Sequence, residues 1–253
     1  MRKAGIHDSP WRRPPPDLAL AQDEVHVWRA PLDLAAEQVR ALQRTLTLDE
    51  RERADRFHFP KDRRHFVVAR GVLRDILGRT LGEEPDELRF RYSAFGKPAL
   101  THEFGGERLR FSLAHSQGLA LYAVTLGREI GIDLEYVRPD LADEQIAERF
   151  FSRREVDVLR ALAKDVRKLA FFNCWTRKEA YVKARGEGLS LPLDQFDVSL
   201  APGEPAALVS TQGDPQEASR WSLQEIAPGP GYVAALAVQV HAWGLKRWQW
   251  KVR

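Results

Sequence analysis

Ile130-Gly131-Ile132-Asp133-Leu134-Glu135-Tyr136 decides how this chain divides. Its apolar and acidic residues alternate with a period of two, the mark of a strand with one buried face. After it come a capping box at Ser152-Arg153-Arg154-Glu155 that opens a helix, a long helix from about Asp165 to Arg185 stopped at Gly186 or Gly188, and then strands. The stretch before it runs in the same order. A strand around Val25, Val27 and Trp28 precedes a helix over Leu34 to Leu46 that Asp33 can cap. An amphipathic helix from Asp62 to about Leu81, stopped by Gly82, leads to strands over 88–92, 109–113 and 119–126. The pattern predicts an α+β protein of two similar halves meeting near residue 128, behind a mobile tail over residues 1–22 that Pro14-Pro15-Pro16 keeps out of helix.

Composition narrows the class. The chain has 253 residues, 43% of them hydrophobic, enough for a substantial core. One cysteine rules out an intrachain disulfide scaffold and a zinc finger. No run approaches the roughly 20 apolar residues of a membrane helix, and the basic N-terminus lacks an apolar signal core. These features point to a soluble cytoplasmic protein without membrane contact. The net charge of +3 is uninformative, but its distribution is not. Between Arg51 and Arg74 eight bases face three acids, an excess of +5 in 24 residues. That segment matches no nucleic-acid-binding motif, and a solvated basic helix face accounts for it as well as an anion site does.

Candidate chemistry begins with Asp133 and Glu135. On a strand they share one face about 7 Å apart, where two carboxylates can hold a divalent cation, and hard oxygen donors suit magnesium. An amphipathic strand with a polar outer face gives the same pattern. The helix stretch Trp175-Thr176-Arg177-Lys178-Glu179-Ala180-Tyr181-Val182-Lys183 sets Glu179 between two lysines. Glu179 and Lys183, at i and i+4, suit a surface ion pair as readily as a third carboxylate with lysines for phosphate oxygens. His115 at a strand end and Lys97 in the Gly96-Lys97-Pro98 turn are each open to a structural reading. No Ser-His-Asp order and no Walker-type glycine loop is present.

Taken in order, Phe95-Gly96-Lys97-Pro98, Ser112-Leu113-Ala114-His115-Ser116, Gly131-Ile132-Asp133-Leu134-Glu135, Phe150-Phe151-Ser152-Arg153-Arg154-Glu155, Trp175 through Lys183, and Gly186-Glu187-Gly188-Leu189-Ser190-Leu191-Pro192-Leu193 resemble the 4′-phosphopantetheinyl transferases. The likeness is to the long, surfactin-synthetase-activating type and covers about residues 45–200. It implies two pseudo-symmetric α/β halves, residues 23–128 and 129–253, with coenzyme A in the cleft between them and the chain a monomer. By resemblance Asp133, Glu135 and Glu179 are the magnesium ligands, and Glu179 is also the general base. Lys178 and Lys183 approach the phosphates and pantetheine arm. Lys97 and His115 hold the nucleotide end, and Arg53, Arg63, Arg64 and Arg70 are the candidates in the basic coenzyme-binding segment. The implied reaction moves 4′-phosphopantetheine from coenzyme A to a serine of an apo acyl or peptidyl carrier protein, an acidic helical bundle, and releases 3′,5′-ADP. One departure stands out: Ala114 replaces the family's serine before the histidine, which removes a hydroxyl expected near phosphate. A magnesium-dependent coenzyme A diphosphate hydrolase and a non-enzymatic basic binding module are the rival readings. Nucleic acid is not an expected partner.

Overall fold

In the computed structural model, which describes residues 11–139, 143–240 and 242–252, the two halves repeat one topology. The first contains β1 (Glu24–Pro31), α1 (Ala36–Arg44), α2 (Leu48–Asp55), α3 (Pro60–Leu81), β2 (Phe90–Tyr92), β3 (Pro98–Leu100), β4 (Leu109–Ser116) and β5 (Leu119–Leu126). The second contains β6 (Ile130–Tyr136), α4 (Asp143–Phe150), α5 (Arg153–Ala161), α6 (Lys164–Arg185), β7 (Phe196–Val198), β8 (Leu208–Thr211), β9 (Trp221–Ile226) and β10 (Tyr232–Gln239). A last strand, β11 (Gly244–Gln249), follows. The sheets run β1-β5-β4 and β6-β10-β9, the same order, and each half adds a two-stranded ribbon, β2-β3 or β7-β8.

Alternation explains the packing. On β5, Ala120, Tyr122 and Val124 join Val68, Val72 and Ile76 of α3 in one core, while Leu121 and Ala123 point the other way. On β10, Ala235 and Ala237 pack toward Phe171 and Phe172 of α6, while Ala234, Leu236 and Val238 face the opposite side. The outward sets of both sheets meet in a third, central core with Val25, Val27, Ile132 and Leu134. Strands buried on both faces lose their polar alternation, which is why β5 and β10 read as continuous apolar runs.

Two features depart from the expected division. β11 leaves the second half and adds to the first sheet, parallel to β1, in the order β11-β1-β5-β4. Trp248 packs against Trp28, and Trp250 Nε1 donates to Asp75 Oδ2 at 2.6 Å, so both C-terminal tryptophans serve packing. Part of the expected tail, 1–22, is also bonded to the body. Residues 1–10 lie outside the described residues, but Arg12 pairs with β11 through Arg12 N to Arg247 O and Gln249 N to Arg12 O. Trp11 Nε1 donates to Ala227 O at 3.0 Å. Asp33 does not cap α1. It bonds His65 of α3 instead, at 2.9 Å. No helix among the described residues is long and apolar enough to cross a membrane.

Candidate active site

The site forms where α6 crosses β6. Gly131 makes the crossing close: a Cβ there would lie 2.0 Å from Ala180 O and 2.4 Å from Ala184 N. Any side chain at 131 would push helix and strand apart. With them in contact, one turn of α6 delivers Glu179 and Lys183 beside the acids of β6. Lys183 Nζ donates to Asp133 Oδ1 at 2.5 Å. Ser116 Oγ, from the end of β4, donates to Glu135 Oε2 at 3.0 Å.

Charge crowding shows in the titration of this group. Burial and then the neighbouring Asp133 raise the Glu135 carboxyl above its ordinary range. Glu179 is raised by the same causes, with Glu135 adding to them, and Lys183 opposes the shift in both. Asp133 Oδ2 is buried and has no hydrogen-bond partner among the described residues. Nor do any three His, Cys, Asp or Glu side chains among the described residues stand ready to hold a metal. The cation these carboxylates share here is the Lys183 ammonium.

Two cavities lie along β4, which ends beside this group. One, of about 310 Å³, is walled by Phe95, Lys97, Phe111, Leu113, Glu179 and Lys183. The other, of about 300 Å³, is lined by Phe57, Lys61, His65, Phe66 and His115. Lys97 reaches across the junction of the halves to Ala184 O at 2.9 Å and to Glu129 at 3.4 Å, and burial lowers its pKa. His115 lines the second cavity, its pKa lowered by surrounding protein and then by the Lys183 charge. Ala114, the departure from the family pattern, is packed in the central core. Its methyl faces apolar neighbours and so does not leave a gap in the cleft wall.

Several expected binding residues lie elsewhere. Lys178 is fully buried, its ammonium held by Glu155 at 2.8 Å, Leu193 O at 2.6 Å and Phe196 O at 2.5 Å. It braces α6 against α5 and β7 and cannot reach a phosphate. Arg70 is likewise buried, with Nε on Glu50 at 2.6 Å and its guanidinium over Phe90. Arg64 donates to Leu34 O and Arg63 pairs with Asp55, both on the surface. Arg53 lies 5.5 Å over the Phe66 ring, next to the second cavity. Besides His115, the bases that line this cavity are Lys61 and His65, neither of them among the expected binding residues. Their i, i+4 spacing on α3 puts them on one face and Arg63 on the other, while Arg64, only about 60° around the helix from Lys61, is taken up by the Leu34 carbonyl.

Fold and site together define a two-half α+β protein with an acid-and-lysine cleft at the junction. Comparison with known proteins assigns it. The 4′-phosphopantetheinyl transferase superfamily model matches residues 129–237, and the 4′-phosphopantetheinyl transferase N-terminal model matches residues 33–126. The chain is 47% identical to 4′-phosphopantetheinyl transferase HetI of Nostoc sp. over 240 residues, 95% of this chain and 98% of that protein. It is 30% identical to 4′-phosphopantetheinyl transferase Sfp of Bacillus subtilis over 167 residues, 66% of this chain and 72% of that protein. The chain belongs to the 4′-phosphopantetheinyl transferase superfamily and is an enzyme of that class.

Proposed function

We propose that this enzyme transfers the 4′-phosphopantetheine group of coenzyme A to a serine of an apo acyl or peptidyl carrier protein and releases 3′,5′-ADP. The observation that carries this reading is the meeting of Asp133, Glu135, Glu179 and Lys183 beside a cavity that Glu179 and Lys183 line, in a chain of this family. The residues fit a magnesium ion in donor chemistry: three hard carboxylates, one with a buried oxygen lacking a partner among the described residues. Asp133, Glu135 and Glu179 would hold it, and when bound it would offset charge on the diphosphate oxygens.

The chain's own groups supply the rest. Glu179 accepts the proton of the carrier serine as its oxygen forms the new bond to the pantetheine-side phosphorus. The bond from that phosphorus to the bridging oxygen breaks, and the oxygen leaves with the electron pair on 3′,5′-ADP. Lys183 moves charge from Asp133 toward the phosphates, and Lys97, His115, Lys61 and His65 orient the nucleotide end, with Arg53 at its border. A carrier that is an acidic helical bundle suits the exposed bases at the start of α3, Lys61, Arg63 and Arg64. One chain provides both halves of the cleft, so a monomer suffices. A cytoplasmic location is consistent with Cys174 as a buried free thiol.

The test is to mix enzyme, magnesium, coenzyme A and an apo carrier protein and weigh the carrier. A gain of one phosphopantetheine is expected, lost in Asp133→Ala with the fold intact by circular dichroism. Release of 3′,5′-ADP without carrier would favour the hydrolase. Full transfer by Asp133→Ala would remove the acid group from the mechanism.

A further inference from the structure

The two sheets share no ladder: β4 ends one and β6 begins the other. Yet the strands lie side by side, and two serines of β4 bridge them. Ser112 Oγ accepts from Ile132 N at 3.1 Å, and Ser116 Oγ accepts from Tyr136 N at 3.0 Å. Both bonds span the same interval along the chain and advance together, so β4 and β6 run parallel. Residues 112, 114 and 116 form one face of β4. Its hydroxyl, methyl and hydroxyl meet the backbone edge of β6, with Ala114 contributing to the central core. The serines take the place of the carbonyls that a paired strand would offer.

The two are not equivalent. A serine hydroxyl has one proton to donate. The Ser116 proton goes to Glu135 Oε2, so one oxygen fixes both the backbone at Tyr136 and the carboxylate of the preceding residue. Ser112 is more buried than Ser116 and carries only the backbone bond among these two. We propose that Ser116 is a positioning residue that aims the Glu135 carboxylate across the junction of the halves, while Ser112 is a stitch alone. This rests on the reading of Asp133, Glu135 and Glu179 as the metal-holding acids. It assigns a task to the hydroxyl that follows His115, beside a position where the family's hydroxyl is missing.

The experiment titrates the full chain, with coenzyme A present, with Mn2+ as an optical-silent but paramagnetic substitute for Mg2+, and reads free Mn2+ by electron paramagnetic resonance. Removing an outer hydrogen-bond partner of a ligand weakens metal binding by about tenfold or more. Ser116→Ala should show that loss, Ser116→Thr should recover most of it, and Ser112→Ala should keep the parent affinity while lowering the melting temperature. Should Ser116→Ala fold too poorly to titrate, Ser116→Cys, a much weaker donor of similar size, takes its place against Ser116→Thr. Parent affinity in the hydroxyl-lacking variant, with binding lost in Glu135→Gln, would overturn the role of Ser116 and leave the acid site standing. Parent affinity in Glu135→Gln would overturn the acid site itself, and the proposal with it.

Discussion

Helices α3 and α6 occupy equivalent places in the two halves and were built to the same plan. Each has 22 residues and ends on a glycine in the left-handed region, Gly82 at φ 76° and Gly186 at φ 71°. The fifteenth residue of each is a fully buried base, Arg74 or Lys178. Each base grips the glutamate at the third position of the preceding short helix, Glu50 of α2 at 2.7 Å or Glu155 of α5 at 2.8 Å. The sixteenth and twentieth residues are an acid and a base in both, Asp75 and Arg79, Glu179 and Lys183. There the likeness ends. Asp75 and Arg79 pair with each other at 2.6 Å, and Asp75 also takes the indole of Trp250. Glu179 and Lys183 turn instead to the carboxylates of β6. One frame thus carries the same pair twice, closed on itself in the first half and left to the cleft in the second.

The largest effect should come from breaking what the helices share. Lys178→Met leaves the Glu155 carboxylate buried without its cation and should cost about 3–5 kcal/mol in chemical denaturation. The KM for coenzyme A should hold at temperatures where the variant stays folded. A raised KM with unchanged stability would return Lys178 to the binding site. Next come the residues in which the helices differ. Lys183→Met should cut kcat/KM for transfer by about a hundredfold, about 2.7 kcal/mol, with little change in melting. Arg79→Met should do the reverse, and equal kinetic losses in both would dissolve the contrast.

Smaller still is the effect on nucleotide binding by α3. Lys61→Ala and His65→Ala should each raise the KM for coenzyme A about tenfold, roughly 1.4 kcal/mol. Arg63→Ala and Arg64→Ala should leave it near the parent value, since their side chains serve Asp55 and the Leu34 carbonyl. The least effect distinguishes β1 from its counterpart β6. Where β6 carries its acids, β1 buries His26 among Glu24, Lys246 and Trp248. Burial lowers the His26 pKa below its ordinary 6.5, with Glu24 opposing. The unfolded chain therefore takes up this proton first as pH falls, and stability should decline below about pH 6.5. Denaturation curves of His26→Gln should lack that part of the decline; an identical pH profile would show that His26 does not contribute.

Much of this was legible because periodicity reports burial. The long helices and the strands β4 to β6 stand close to where alternation and glycine stops put them, and Asp133 with Glu135 followed from a period of two. α2 escaped because its only buried residues are Glu50 and Ala54, so it has no apolar stripe, although Thr47 and Glu50 have the spacing of a capping box. Lys178 was misassigned for a geometric reason: it adjoins Glu179 in sequence but lies about 100° away around the helix. The fates of Arg70 and Arg74 depend on Glu50, a partner from another helix that no local pattern announces.

The return of β11 to the first sheet has a consequence for how the molecule is made. Strand β1 comes first among the described elements, but one of its two neighbours is β11, which follows all the others. Throughout translation of the second half, the outer edge of β1 has no partner, and Trp28 lacks the cover of Trp248. The ribosome delivers the halves one after the other, yet the first sheet closes only after the second half has emerged. Two regions that are separable on paper are therefore finished together.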